Sequence, residues 1–108
     1  MPLHKKEAFG QEEQELAELA KALAHPARIA ILKELAKRQT CVCGEIVEVL
    51  PLAQSTVSQH LKELLNAGLI QGTVEGAKSC YCIDAKAFQR FEKMLASFFT
   101  VTVKNQCC

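Results

Sequence analysis

The sequence contains no run of about 18 apolar residues, so it offers no membrane-spanning helix. Its start, MPLHKKEAFGQEEQE, lacks the apolar stretch and small-residue cleavage site of an export signal. The expectation is a cytoplasmic protein with reduced thiols. Net charge is also scarce: 13 Lys and Arg against 12 Asp and Glu leave +1. The overall balance therefore does not imply nucleic acid, and any such partner must rest on a local surface. There is no C-x-x-C motif and no βαβ pattern, which argues against a thiol oxidoreductase and against an enzyme in general. Repeats, low-complexity tracts and linkers are missing too. A chain of 108 residues then reads as one domain over 1–108, with 1–10 and 104–108 as flexible ends.

What is present is an ordinary folded composition, 49% hydrophobic and 23% charged. Six cysteines fall in three tight pairs: Cys41 and Cys43, Cys80 and Cys82, Cys107 and Cys108. In a reducing compartment they read as metal ligands or redox groups before they read as a disulfide framework.

Periodicity sets the elements. Leu16, Leu19, Ala20 and Leu23 form one helical stripe behind Glu-rich first turns. His25-Pro26 breaks that helix, and Pro26 suits the first position of the next, which is expected to bury Ile29, Ile31, Leu32 and Leu35. A short helix over 44–50 is stopped by Pro51. In STVSQHLKELLNAG, Val57, Leu61, Leu64 and Leu65 point inward, and Ser55, Gln59, Lys62 and Asn66 point outward. Gly68 ends this helix. Ile70, Val74, Tyr81 and Ile83 then spread through two short runs around Glu75-Gly76-Ala77, a β-hairpin. The last helix carries Phe88, Phe91, Leu95, Phe98 and Phe99 on one face, more apolar surface than one small domain needs, which points to a partner surface. The predicted fold is mainly α with a small β-hairpin wing: a winged helix-turn-helix with an added helix at each end.

At this point the sequence resembles the ArsR/SmtB family of small dimeric metal-responsive repressors. LAHPARIAIL looks like the family's second-helix signature, QSTVSQHLKELLNAGLI like its recognition helix and entry to the wing, and TCVCGEI like the cysteine box of the arsenic, cadmium and lead sensors. The likeness covers roughly residues 12 to 100 by element order. There are departures. Ile46 stands where the arsenic box often has a third cysteine. Residues 1 to 40 hold no cysteine, and no histidine follows His60, against the zinc and nickel sites of the last helix. Ala53 stands at the recognition-helix cap where the family usually has Ser, forfeiting about 1 kcal/mol unless Ser55 takes over the capping.

The resemblance implies a DNA surface. Gln54 and Gln59 are assigned to bases, Ser55, Thr56 and Ser58 to phosphates or bases, and Lys62 to phosphate. His60 is a DNA contact or surface group, and Lys78 in the wing reaches flanking backbone. The plain alternative for each is a solvated polar face. Two such helices, paired as a homodimer through the terminal helices, suit successive major grooves about 34 Å apart, hence double-stranded DNA with an inverted-repeat operator. His25 reads as a helix-cap or packing residue, and His4 lies in the flexible start.

The thiols follow from strand geometry. Residues i and i+2 of a strand share a face, so Cys80 and Cys82 project together from the hairpin's return strand. If the link holding Cys41 and Cys43 adds a third strand, two C-x-C pairs face each other across about 4.8 Å. Three thiolates suit As(III) or Sb(III), and four suit Zn(II), Cd(II) or Pb(II). Cys107 and Cys108 resemble the tail ligands of some arsenic sensors. The expected function is a repressor that releases its operator on binding such an ion. The alternatives are a redox or persulfide sensor of the same fold, a Cd, Pb or Zn sensor, a zinc-stabilised interaction module, or buried structural thiols.

Overall fold

The structure is a computed structural model and describes residues 8–38, 42–43, 50–73 and 80–104. In chain order these form α1 (Gln11–Leu23), α2 (Pro26–Arg38), β1 (Val42–Cys43), α3 (Gln54–Asn66), β2 (Ile70–Thr73), β3 (Cys80–Ile83) and α4 (Ala85–Lys104). The order is that of a winged helix with a helix at each end. The short helix expected over 44–50 falls outside the described residues except for Leu50, as do the hairpin tip at 75–77 and Val74.

The helix ends have local causes. His25 caps α2: its Nδ1 accepts the Ala27 N–H at 3.0 Å, and its carbonyl accepts from Arg28 and Ile29. Asp84 does the same for α4, its Oδ1 accepting the Ala87 N–H at 3.1 Å. Gly68 ends α3 with φ 81. Its N–H reaches the Leu65 carbonyl at 3.0 Å, and Leu69 N–H reaches Leu64 at 3.1 Å. Those two bonds make a Schellman cap, and buried Leu69 packs back over the helix it closes.

α1, α2 and α3 supply most of the core: Leu19 and Ala22, then Ile31, Leu32 and Leu35, then Val57, Leu61 and Leu64. Ile70, Tyr81 and Phe91 add one residue each from β2, β3 and α4. Two expected core positions move. Ala20 is exposed and Ala22 takes its place, two residues on and so about 200° around the helix. Ile29 is 40% exposed: two residues before Ile31, it lies about 200° around the helix from it. Arg90 of α4 donates to both carboxylate oxygens of Glu15 on α1 at 2.7 and 2.5 Å. That bond, made to the ionised form, holds the Glu15 carboxyl below its ordinary pKa.

The sheet has three antiparallel strands in the order β1-β3-β2. Val42 and Cys43 pair with Tyr81 and Cys80. Ile70, Gln71, Gly72 and Thr73 pair with Ile83, Cys82, Tyr81 and Cys80. The link after α2 does add a third strand, and it docks on the cysteine-bearing side of the hairpin.

Candidate functional site

α3 presents a polar edge. Its inward stripe is Val57, Leu61 and Leu64, each at most 2% exposed. Opposite it, Gln54, Ser55, Thr56, Gln59, Lys62 and Asn66 are exposed, and Ser58 is half-buried. The helix begins at Gln54, and its N-cap Ala53 has extended backbone and makes no side-chain capping bond. The first-turn N–H groups thus have no side-chain acceptor at the cap, and no acidic residue stands in that turn. This end of α3 has the electrostatic character that favours an anion. Lys78 lies outside the described residues.

His60 corrects the sequence reading. It is only 8% exposed and lies on the inner side of α3, not among the outward groups. Its Nδ1 accepts from Arg28 Nε of α2 at 3.2 Å, and its ring lies 4.4 Å from that of His25, tilted by 50°. Burial, chiefly, and then the charges of His25 and Arg28 push its pKa below the ordinary histidine value, against a smaller opposing pull from Glu63. His60 is an internal acceptor rather than a surface group for DNA. Arg28 carries no local sign of this partnership in the sequence. The signal was a histidine at offset 3 within an apolar stripe, which needs a polar partner when buried.

The cysteines are positioned by β3. Tyr81 is 3% exposed and turns into the core, while Cys80 and Cys82 on either side are half-buried on the opposite face. Side chains directly opposed across an antiparallel pair share a face. Gln71 of β2, opposite Cys82, therefore belongs to the cysteine face, and Thr73 of β2 and Cys43 of β1 are the backbone partners of Cys80. Cys80 is disulfide-bonded, and Cys82 keeps its thiol. Gly72 makes this face possible. With φ 138 it lets β3 come close, and a Cβ there would stand 1.8 Å from the Cys80 carbonyl oxygen. Cys41, Cys107 and Cys108 lie outside the described residues. Among the described residues no group of three or more His, Cys, Asp or Glu side chains converges as a metal site.

Part of the exposed surface of α4 is apolar. Phe98, Phe99, Val101 and Val103 are 49% to 67% exposed. A shallow groove of about 410 Å³ runs between α4 and the end of α1, lined by Leu23, Phe88, Phe91, Leu95, Ala96 and Phe99 together with Glu92. Among the described residues no helix is long and apolar enough to cross a membrane.

Two helices packed under a third with a polar outer edge, followed by a β-wing, define the class: a winged helix-turn-helix protein. Comparison with known proteins narrows this. The family model described as bacterial regulatory protein, arsR family, matches residues 25–71. The chain is 37% identical over 90 residues to the arsenical resistance operon repressor of Bacillus subtilis, covering 82% of this chain and 85% of that protein. It therefore belongs to the arsR family of bacterial regulatory proteins, whose members are regulators of transcription and not enzymes. The repressor SmtB of Mycobacterium tuberculosis is 47% identical over 64 residues, 59% of this chain. That match spans about half the length of SmtB, 47%. A crystal structure of an ArsR family transcriptional regulator superposes with a TM-score of 0.72, covering 92% of this chain and 100% of the other at 22% identity, which shows the shared fold.

Proposed function

We propose that this protein is a cytoplasmic transcriptional repressor that grips an inverted-repeat operator as a homodimer and lets go when a soft metal(loid), As(III) or Sb(III), binds its wing thiolates. One observation carries the reading: the strand holding Cys43 pairs with the strand holding Cys80 and Cys82, in a register that sets Cys43 against Cys80. The likeness to an arsenical resistance operon repressor adds weight.

The donor set suits the ion. Cysteine thiolates are soft, and Cys80 and Cys82 sit half-buried on one face. Cys41, outside the described residues, is proposed as a further donor beside Cys43. Cys107 and Cys108 are held as further ligands in the tail. A bound ion supplies cross-links between thiolates and requires them deprotonated. The chain's part is mechanical. β1 lies on the path from α2 to α3, so a tightened β1–β3 seam changes how α3 is held. Gln54 and Gln59 read bases; Ser55, Thr56, Ser58, Lys62 and Lys78 meet phosphate or bases. A coupling of about 1 to 3 kcal/mol weakens DNA binding roughly 5- to 150-fold.

The test is DNA release by the reduced protein across As(III), Sb(III), Cd(II), Pb(II) and Zn(II), repeated with Cys→Ser changes at each pair. Release by As(III) that disappears in Cys80→Ser/Cys82→Ser supports the reading. Stoichiometric ion binding with no effect on DNA sinks it.

The disulfide at Cys80 favours a second reading, a redox or persulfide sensor on the same face. It requires that oxidant, rather than ion, release DNA from the thiol form.

A further inference from the structure

His60 occupies a buried position of the DNA-reading helix with a group that can be either neutral or charged. At 8% exposure it stands between Val57 and Leu61 of the inner stripe, where an apolar residue would pack at no polar cost. Its Nδ1 accepts from Arg28 Nε at 3.2 Å. The same guanidinium continues to the end of α1: its terminal nitrogen donates to the Ala22 carbonyl at 3.2 Å and, more weakly, to the Lys21 carbonyl at 3.4 Å. Those carbonyls are among the last of α1; the Lys21 carbonyl also accepts the Ala24 N–H at 3.1 Å. Arg28 thus fastens three elements at one point: its own α2, the C-terminus of α1 and the inner side of α3. The guanidinium fork is rigid and always charged, so its direction is fixed by these acceptors.

We infer that Arg28 and His60 are positioning residues for DNA binding, a joint that locks the reading helix to the end of α1 and closes only while His60 is neutral. The inference rests on the reading of α3 as the DNA-contacting helix. A neutral imidazole whose Nδ1 accepts must carry its proton on Nε2. Protonation puts a hydrogen on Nδ1 as well, so the Arg28 N–H loses its acceptor and meets a like charge.

The groups around the joint favour the neutral form. His25 from the α1–α2 turn faces the ring, Arg28 comes from α2, and Glu63 on α3 itself is the opposing charge. Glu18 and Lys21 of α1 line the adjoining cavity of about 370 Å³ with His25, Arg28, Glu63 and Asn66. Burial, chiefly, and then electrostatic repulsion from His25 and Arg28 hold the His60 pKa below the ordinary value, so the joint is closed at neutral pH and opens on acidification.

The test uses full-length reduced protein and a duplex that the wild type selects from a randomised pool. Affinity is measured by fluorescence anisotropy between about pH 8 and about pH 5, spanning the ordinary histidine value and below. The wild type is expected to lose affinity as pH falls through the lowered His60 value, on the acid side of the ordinary histidine range, by roughly 10- to 150-fold, the size of one hydrogen bond to a charged group. His60→Asn places an amide oxygen where Nδ1 was, an acceptor that cannot titrate, and is expected to flatten the profile while binding well at neutral pH. Arg28→Met is expected to bind at neutral pH as weakly as the wild type does in acid, with Arg28→Lys between them. Circular dichroism at each pH verifies that the proteins are folded. A His60→Asn profile that keeps the wild-type slope overturns the inference, as does full affinity in Arg28→Met. Should a variant fail to fold, the imidazole nitrogen shifts of wild-type His60 decide alone: their titration midpoint must coincide with that of DNA affinity. Gln59→Ala and Lys62→Ala separate the two levels, since neither side chain touches the joint. If both bind as tightly as wild type, α3 is not the reading helix and the inference falls with that reading. If both bind weakly while His60→Asn titrates like wild type, the joint alone is refuted.

Discussion

Ala53 illustrates how much one side chain decides at the start of α3. A serine there would supply an oxygen to the N–H groups of the first turn, which Ala53 cannot do. Ala53→Ser is expected to raise the stability of the folded protein by about 0.5 to 2 kcal/mol, read from urea unfolding. No change in midpoint would mean that another group already serves that turn. This missing cap was legible in the sequence because capping is a matter of one residue and its neighbours along the chain. The same locality made His25 readable as a cap and Gly68 as a terminator. His60 is the opposite case. Its partner Arg28 is 32 positions away, and only packing of α2 against α3 brings the two together. Ala20 and Ile29 are smaller cases: periodicity gives the apolar stripe but not which edge of it meets a neighbour.

The wing is where the elements carry the most function per residue. β1 and β2 flank β3, so both neighbours of Cys80 are fixed by register: Cys43 on one side and Thr73 on the other. Gly72 is the position on which this register depends. Gly72→Ala combines an unfavourable φ with a Cβ placed against the Cys80 carbonyl oxygen, a backbone atom that can move only by displacing β3. The expected outcome is a loss of about 1 to 3 kcal/mol in stability together with faster amide exchange at Tyr81 and Cys82. Stoichiometric thiol binding of As(III) should weaken in the same variant. Unchanged exchange at both amides would show that β2 and β3 are not held as described. The sequence made the hairpin and the shared face of Cys80 and Cys82 readable through strand alternation. It made the third strand conditional, since pairing of β1 with β3 brings together segments nearly forty residues apart.

For the molecule as a whole, the open question raised by the sequence is what covers the last helix. Four α4 side chains, Phe98, Phe99, Val101 and Val103, remain about half exposed or more in the single chain, beside an apolar groove that includes Leu23 of α1. A second copy of this chain is the proposed cover. In Phe98→Glu/Phe99→Glu the dimer dissociation constant should rise by roughly a hundredfold or more, at about 1.5 to 3 kcal/mol for each buried phenylalanine. Sedimentation should then show a folded monomer, and DNA affinity should fall with it because two half-sites are no longer gripped together. A variant that sediments like the wild type would place the dimer contact elsewhere.

The sequence by itself determined the element types, the polar edge of α3, the helix ends and the apolar excess of α4. Each of these depends on residues a few positions apart, where backbone geometry fixes the spacing. Only the tertiary structure decided that β1 lies against β3, that Cys43 stands opposite Cys80, and that His60 turns inward to Arg28. Those are contacts between distant segments, set by how whole elements pack, and no local period encodes them.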